Sequence, residues 1–231
     1  MTPDLPQVEI AIVEMTNAAR KQHGLAEVVP EPKLTAAARG YARFLATSTK
    51  FSHTADGRQP SDRAEAAGYQ ACFVSENLSS NLDTRGFETR QLAREAVQGW
   101  LNSPSHRKNL LDKHVVDIGV AVAKTPGKER YVSVQMFGRP YDRAYQFRIN
   151  NASGQTVTYQ FRGETYEIKP RYTTRHTECL PGEIAFREPS SNGIMARYQA
   201  RDGDIFVLRR RTSGVIVELV RGGDQSGNTA Q

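Results

Sequence analysis

Three side chains in this sequence could do chemistry together. His53 sits in Phe51-Ser52-His53-Thr54, just past an expected helix end, and His106 in Ser105-His106-Arg107, near the start of a helical turn. Glu76 lies at the edge of a short apolar stretch, Phe73-Val74. Two imidazoles and a carboxylate could hold zinc through neutral ring nitrogens and an anionic oxygen, with a position left for water. They lack a local ligand spacing such as HExxH, so residue types alone leave a plainer alternative open. In that alternative the three groups only hydrogen-bond to one another, as buried polar groups usually do.

Ser103 precedes His106 by three residues, a spacing that puts both on one helical face. A Ser, His and Glu triad would need more than that, and neither a GxSxG elbow nor identifiable oxyanion donors accompany it. Beside Pro104, Ser103 fits the N-cap of the next helical turn. The remaining histidines have plainer settings: His23 precedes the helix-stopping Gly24, and His114 and His176 lie in polar surroundings without paired ligands. Trp100 falls on the apolar stripe of its helix and is expected in the core.

The elements that must position these groups are legible as periodic segments. Gln7 to His23 carries Ile10, Val13 and Ala18, flanked by Ile12 and Met15, and predicts a helix. Lys33 to Ser48 predicts a second through Leu34, Ala37, Ala38, Tyr41, Ala42 and Leu45. Ser61 is the expected N-cap of a short helix through Ala67, and Thr89 to Leu101 is a longer amphipathic helix. Asp117 to Ala123 and Arg130 to Phe137 are β-prone and separated by Thr125-Pro126-Gly127-Lys128, which predicts an antiparallel hairpin.

The texture changes at Gly138-Arg139-Pro140. Beyond it, seven β-prone runs begin at Tyr145, Thr156, Thr165, Glu183, Met195, Ile205 and Val215, punctuated by turn pairs such as Pro181-Gly182 and Asp202-Gly203. The expected division is therefore 1–140, mixed α+β, and 141–231, a small all-β sandwich or barrel with a disordered tail from about residue 222.

Composition narrows the function classes. The 231 residues contain 31 Lys plus Arg and 25 Asp plus Glu, a net charge of +6. From Tyr141 onward there are 13 basic and 10 acidic residues, so the excess is spread along the chain. That is a mildly basic surface and not a nucleic-acid stripe. No stretch approaches the 18 or so apolar residues of a membrane-spanning helix. The N-terminus shows no basic region followed by an apolar one, which suits either a cytosolic protein or one whose signal peptide has been removed. Cys72 and Cys179 are the only cysteines; they form no CxxC pattern but permit one disulfide in an oxidising compartment.

Several motifs, in order, resemble a bacterial domain of the CAP type (cysteine-rich secretory, antigen 5, pathogenesis-related 1). They are Asn17-Ala18-Ala19-Arg20, Gly24-Leu25, Leu34 with its alanine-rich helix, Phe51-Ser52-His53, Glu76-Asn77-Leu78, Trp100 through Arg107, and Ile118-Gly119-Val120. The resemblance implies an α-β-α sandwich around a small antiparallel sheet, with a cleft holding two histidines and two glutamates. His53, His106 and Glu76 match three of these. The second glutamate's position, three residues after the tryptophan, is Ser103 here. A neutral hydroxyl lacks the charge of a carboxylate, so the expectation is a cleft of His53, Glu76, Ser103 and His106. It would bind zinc or another divalent cation only weakly, through His53 and His106 with Glu76 as a further candidate, and would require no cofactor. The resemblance also implies a secreted or periplasmic protein that binds an extracellular lipid, glycan or protein without turnover. The alternative is a metal-assisted hydrolase of peptide or ester bonds using His53, Glu76 and His106.

Overall fold

The computed structural model describes residues 1–191 and 193–221. The chain divides into two compact units, Met1–Arg143 and a second beginning at Ala144, so the division falls three residues beyond the expected one. A single 3-10 turn, Tyr141–Arg143, ends the first unit. The expected disordered tail lies outside the described residues.

In the first unit, helix α1 (Leu5–Gln22) starts where the Asp4 carboxylate accepts a hydrogen bond from the Gln7 N–H at 3.2 Å. It ends at His23, followed by Gly24 at φ +68°, a left-handed conformation that glycine adopts without strain. Its buried face is Val8, Ala11, Ile12, Thr16 and Ala19, whereas Ile10 is 51% exposed. The sequence stripe was therefore out of phase. Apolar residues at 8, 10, 11, 12 and 13 support more than one helical phase, and packing against the sheet selects one.

A two-residue strand, β1 (Val29–Pro30), leads into α2 (Pro32–Thr47), in which all six residues of the expected stripe are buried. Helix α3 (Pro60–Ala66) begins two residues earlier than expected, with Gln59 and not Ser61 as N-cap. Pro60 favours the first helical position, and the Asp62 carboxylate accepts from the Gln59 N–H at 2.9 Å. Strand β2 (Ala71–Leu82) follows, then α4 (Thr89–Asn102), α5 (Pro104–Leu110), β3 (Asp117–Lys124) and β4 (Arg130–Pro140).

The sheet order is β1-β3-β4-β2, with β1 parallel to β3 and the other pairs antiparallel. Successive side chains of a strand point to opposite faces, which gives the sheet two cores. Ile118, Val120, Tyr131 and Phe137 pack with α1 and α4; Ala121, Val132, Val134 and Met136 pack with α2 and α3. This is an α-β-α sandwich. Gly119 sets the approach of α2: a Cβ there would lie 2.2 Å from the Leu34 carbonyl carbon and 2.4 Å from the Thr35 nitrogen.

The second unit contains β5 (Tyr145–Ala152), β6 (Val157–Phe161), β7 (Glu164–Ile168), β8 (Thr173–Glu178), β9 (Glu183–Arg187), β10 (Ile194–Gln199), β11 (Ile205–Arg211) and β12 (Gly214–Val220). They form two four-stranded sheets, β10-β9-β6-β7 and β12-β11-β5-β8. Strict alternation along β5 buries Tyr145, Phe147, Ile149 and Asn151. Phe147 and Ile149 join Tyr159, Phe161, Phe186 and Phe206 in one core, so the unit is a sandwich with no closed barrel.

Strand β8 was not expected from its polar sequence, and it corrects the placement of His176. That ring is buried, stacked 4.7 Å from Phe147, with Nε2 2.8 Å from the Tyr159 hydroxyl. Alternation along β8 turns it inward although its neighbours Arg175 and Thr177 are exposed.

Candidate functional site

His53 occupies the turn after α2, and that turn is fastened from beneath. The Tyr41 hydroxyl donates to the Ser52 carbonyl and accepts from the Ala55 N–H at 3.1 Å. The Arg63 Nη2 donates to the His53 carbonyl at 2.9 Å. The imidazole itself is half exposed, and its Nδ1 lies 2.8 Å from Oε1 of Glu76.

Glu76 is at the opposite extreme of exposure, with its side chain 1% exposed. Its second oxygen, Oε2, accepts from Arg63 Nη2 at 2.9 Å, and the Arg63 side chain is only 2% exposed. Nη1 of the same guanidinium donates to Asp56 Oδ1 and to the Arg58 carbonyl, each at 2.9 Å, while its face lies 3.5 Å from the Tyr41 ring centre. A buried guanidinium thus joins two carboxylates, the arrangement that makes a buried charge tolerable. Burial by itself raises the Asp56 carboxyl, but hydrogen bonds from Arg58 and the Arg63 charge outweigh it and hold Asp56 below the usual carboxylate range.

The next residue works on the other face of β2. Asn77 is fully buried and donates through Nδ2 to the His106 carbonyl at 3.1 Å and to Gln135 Oε1 at 3.0 Å. Its Oδ1 accepts from Asn109 Nδ2 at 3.0 Å, and Asn109 also donates to the Glu76 carbonyl at 3.1 Å. Gln135 continues the network to Thr16 Oγ1 at 2.9 Å. The chain of bonds therefore runs from α1 through β4 and β2 to α5, and it fixes the helical turn that carries His106.

His106 is partly buried. Loss of hydration lowers its pKa, and the nearby His53 lowers it further, both favouring the neutral ring. The site then offers two imidazoles, one backed by a carboxylate, able to accept a hydrogen bond, to shuttle a proton, or to coordinate a divalent ion.

Ser103 takes the expected N-cap position but no hydrogen-bonded place beside His106. It stands at the N-cap position of α5, but its side chain makes no capping bond. Its Oγ lies 3.4 Å from the Ser105 hydroxyl, and no hydrogen bond joins it to His106 among the described residues. The turn at Ser103 is stabilised by the backbone bond from the Arg107 N–H to the Ser103 carbonyl at 2.8 Å, with Pro104 as the first helical residue.

Both Glu76 oxygens already accept hydrogen bonds, from His53 and from buried Arg63, which places this carboxylate behind the imidazole. Among the described residues no group of three or more His, Cys, Asp or Glu side chains is arranged to hold a metal ion. That leaves His53 and His106 as the imidazoles that could still offer a free ring nitrogen. A cavity of about 740 Å³ lies elsewhere in the first unit, around Tyr69 and Asp117, and includes neither histidine.

Residue types alone did not reveal Arg63, Asp56, Tyr41 or Asn109. An arginine before an alanine in a short helix carries no local sign of burial, and the inward phase of α3 was the one signal that could have found it. The sequence Asn-X-Ser/Thr occurs at Asn77 and Asn151, yet both residues are fully buried with their amides engaged, and neither can carry a glycan in this fold. Neither cysteine is a free thiol.

A three-layer α-β-α unit whose edge strand braces two histidines from opposite faces defines a CAP-type domain. The model of the cysteine-rich secretory protein family matches residues 13–137, and the chain belongs to that family. It is similar to the uncharacterized protein YkwD of Bacillus subtilis, 28% identical over 118 residues, which cover 51% of this chain and 43% of that protein. It is also similar to the uncharacterized membrane protein YlbC of the same organism, 30% identical over 115 residues, which cover 49% of this chain and 31% of the relative. The chain thus spans less than half the length of both curated relatives. Among solved structures it resembles an extracellular protein with an SCP domain from Bacillus anthracis, at 26% identity and a TM-score of 0.49, covering 58% of this chain and 41% of that one.

Proposed function

We propose that this protein is a non-enzymatic recognition module that works outside the cytoplasm, with the His53–His106 cleft as its ligand site. One observation carries the reading: the half-exposed His53 ring is held by a buried Glu76–Arg63 pair, while among the described residues Ser103 makes no hydrogen bond to either histidine. Such a site is held firmly enough to recognise a polar group, and among the described residues no serine is hydrogen-bonded to either histidine as acyl transfer would need. The ligand is a lipid, glycan or protein of the cell surface or envelope. A secreted or periplasmic location is supported by the family's secretory character and by the absence of a free thiol.

Binding screens of the full chain against lipid vesicles, cell-wall glycans and peptides, repeated with His53→Ala and His106→Ala, test this reading. Loss of binding in both variants, with the fold intact, is expected. Binding unaffected by either change would move the ligand site away from the cleft. Location is tested by fractionating the producing cells and by titrating thiols in the denatured, unreduced protein. Recovery outside the cytoplasm with no reactive thiol is expected; two thiols per chain in a cytosolic fraction would reject it.

A second reading, metal-assisted hydrolysis, is favoured by His106, its pKa lowered, beside the carboxylate-backed His53, a pairing suited to proton transfer. Zinc calorimetry with ester and peptide hydrolysis assays distinguishes the two readings. Heat of binding with turnover supports the hydrolase, and neither signal supports recognition alone.

A further inference from the structure

Arg63 is the most heavily engaged charged residue of the first unit. Its guanidinium bonds to Glu76, Asp56, the Arg58 carbonyl and the His53 carbonyl, and stacks on Tyr41. Its Nε is buried without a hydrogen-bond partner among the described residues. An unsatisfied buried donor costs about 1–3 kcal/mol, so this placement is not the cheapest way to fill the space under the turn. The residue joins two groups that orient His53, its own backbone carbonyl and the carboxylate that meets its Nδ1.

The consequence concerns which nitrogen of His53 carries the proton. A carboxylate whose Oε2 accepts from a guanidinium presents Oε1 as an acceptor too, so the imidazole must donate through Nδ1–H. In the neutral ring Nε2 is then left with its lone pair and has no partner among the described residues. The side chain is half exposed, so that lone pair is accessible to a ligand.

We propose that Arg63 is a positioning residue for ligand recognition. By clamping Glu76 and the His53 backbone at once, it holds His53 in the Nδ1–H tautomer and makes the cleft a hydrogen-bond acceptor at Nε2. The ligand chemistry this selects is a donor, such as a hydroxyl, an amide N–H or an ammonium group. The inference rests on the cleft being the recognition site. The tautomer itself is a property of the ligand-free protein, so the two fail separately.

The test is nitrogen-15 NMR of the histidine rings in the full chain at pH 8, for wild type, Arg63→Ala and Arg63→Lys. In wild type, His53 Nε2 is expected at the unprotonated position and Nδ1 at the protonated one. In Arg63→Ala the ratio of the two tautomers should fall about tenfold, the loss of one charge-assisted contact, with His106 signals unmoved as evidence that the fold persists. Arg63→Lys, which can reach Glu76 but cannot also hold Asp56 and the His53 carbonyl, should restore part of the ratio. A wild-type His53 protonated on Nε2, or a folded Arg63→Ala protein with the wild-type ratio, overturns the proposal. Should Arg63→Ala fail to fold, the wild-type tautomer and the partial shift in Arg63→Lys still decide.

Discussion

The Asn77 side-chain amide donates to the backbone carbonyl of His106 at 3.1 Å, across 29 residues of sequence. Glu76, its neighbour, reaches His53 from the opposite face of the same strand at 2.8 Å. A pleated strand turns consecutive side chains to opposite faces, so one dipeptide braces both histidines.

Replacing Asn77 with alanine leaves Gln135 Oε1 and the His106 carbonyl without its amide, removes one of two acceptors of Asn109 Nδ2, and frees the α5 turn. Each orphaned buried polar group costs about 1–3 kcal/mol, so Asn77→Ala should lower the urea midpoint clearly while displacing the His106 ring signals. An unchanged midpoint would mean that water replaces the lost amide.

Glu76 and His53 form one contact but should differ in their stability effects. Glu76→Ala leaves the buried Arg63 with Asp56 alone, and removing one partner of a buried pair typically costs about 3–5 kcal/mol. His53→Ala removes a half-exposed ring whose place water can take, for a loss of about 1 kcal/mol or less. Denaturant titrations of both variants check this order, and equal losses would contradict it.

Burial lowers the His176 pKa in the second unit, against an opposing pull from Glu178, whose Oε1 is 3.6 Å from Nδ1. The other walls are Phe147, Phe161, Tyr159 and Tyr166, none of which offers the cation a charge. The unfolded chain, titrating near the ordinary imidazole value of about 6.5, therefore takes up the proton first. Stability that is fully present above that value is lost as pH falls from it towards the lower folded pKa. Melting temperatures measured from pH 7 to pH 5 should fall more steeply for wild type than for His176→Phe.

Two glycines of the first unit should respond in opposite directions. Gly119→Ala drives a methyl group into the α2 backbone at Leu34 and should cost about 1–3 kcal/mol or more. Gly40, inside α2, has nothing within 4 Å of an added Cβ, and Gly40→Ala should gain about 0.5–1 kcal/mol. Thermal melts of the pair test whether the close α2–sheet approach is what glycine provides.

Much of this organisation was legible along the chain. The α2 stripe was right residue by residue, because its apolar positions fit one helical phase and its alanines favour helix. The hairpin of β3 and β4 and the expected strands of the second unit were marked by β-branched runs and turn residues. His53, Glu76 and His106 were recognisable from the order of motifs around them. Strands β2 and β8 were missed because β8 is polar throughout and β2 turns mostly polar after Val74, and a strand made by pairing with a neighbour need not announce itself by hydrophobicity.

Along the chain alone, the helices, most of the strands and the change of texture near residue 140 were legible, since these follow from local propensity and the order of motifs. The tertiary structure alone decided that Arg63 is buried, that it joins Asp56 to Glu76, and that Asn77 rather than Ser103 secures the turn carrying His106. Those outcomes depend on α3, β2 and α5 meeting across gaps of 13 to 33 residues. Burial and charge pairing are properties of that packing, and no window of neighbouring residues contains them.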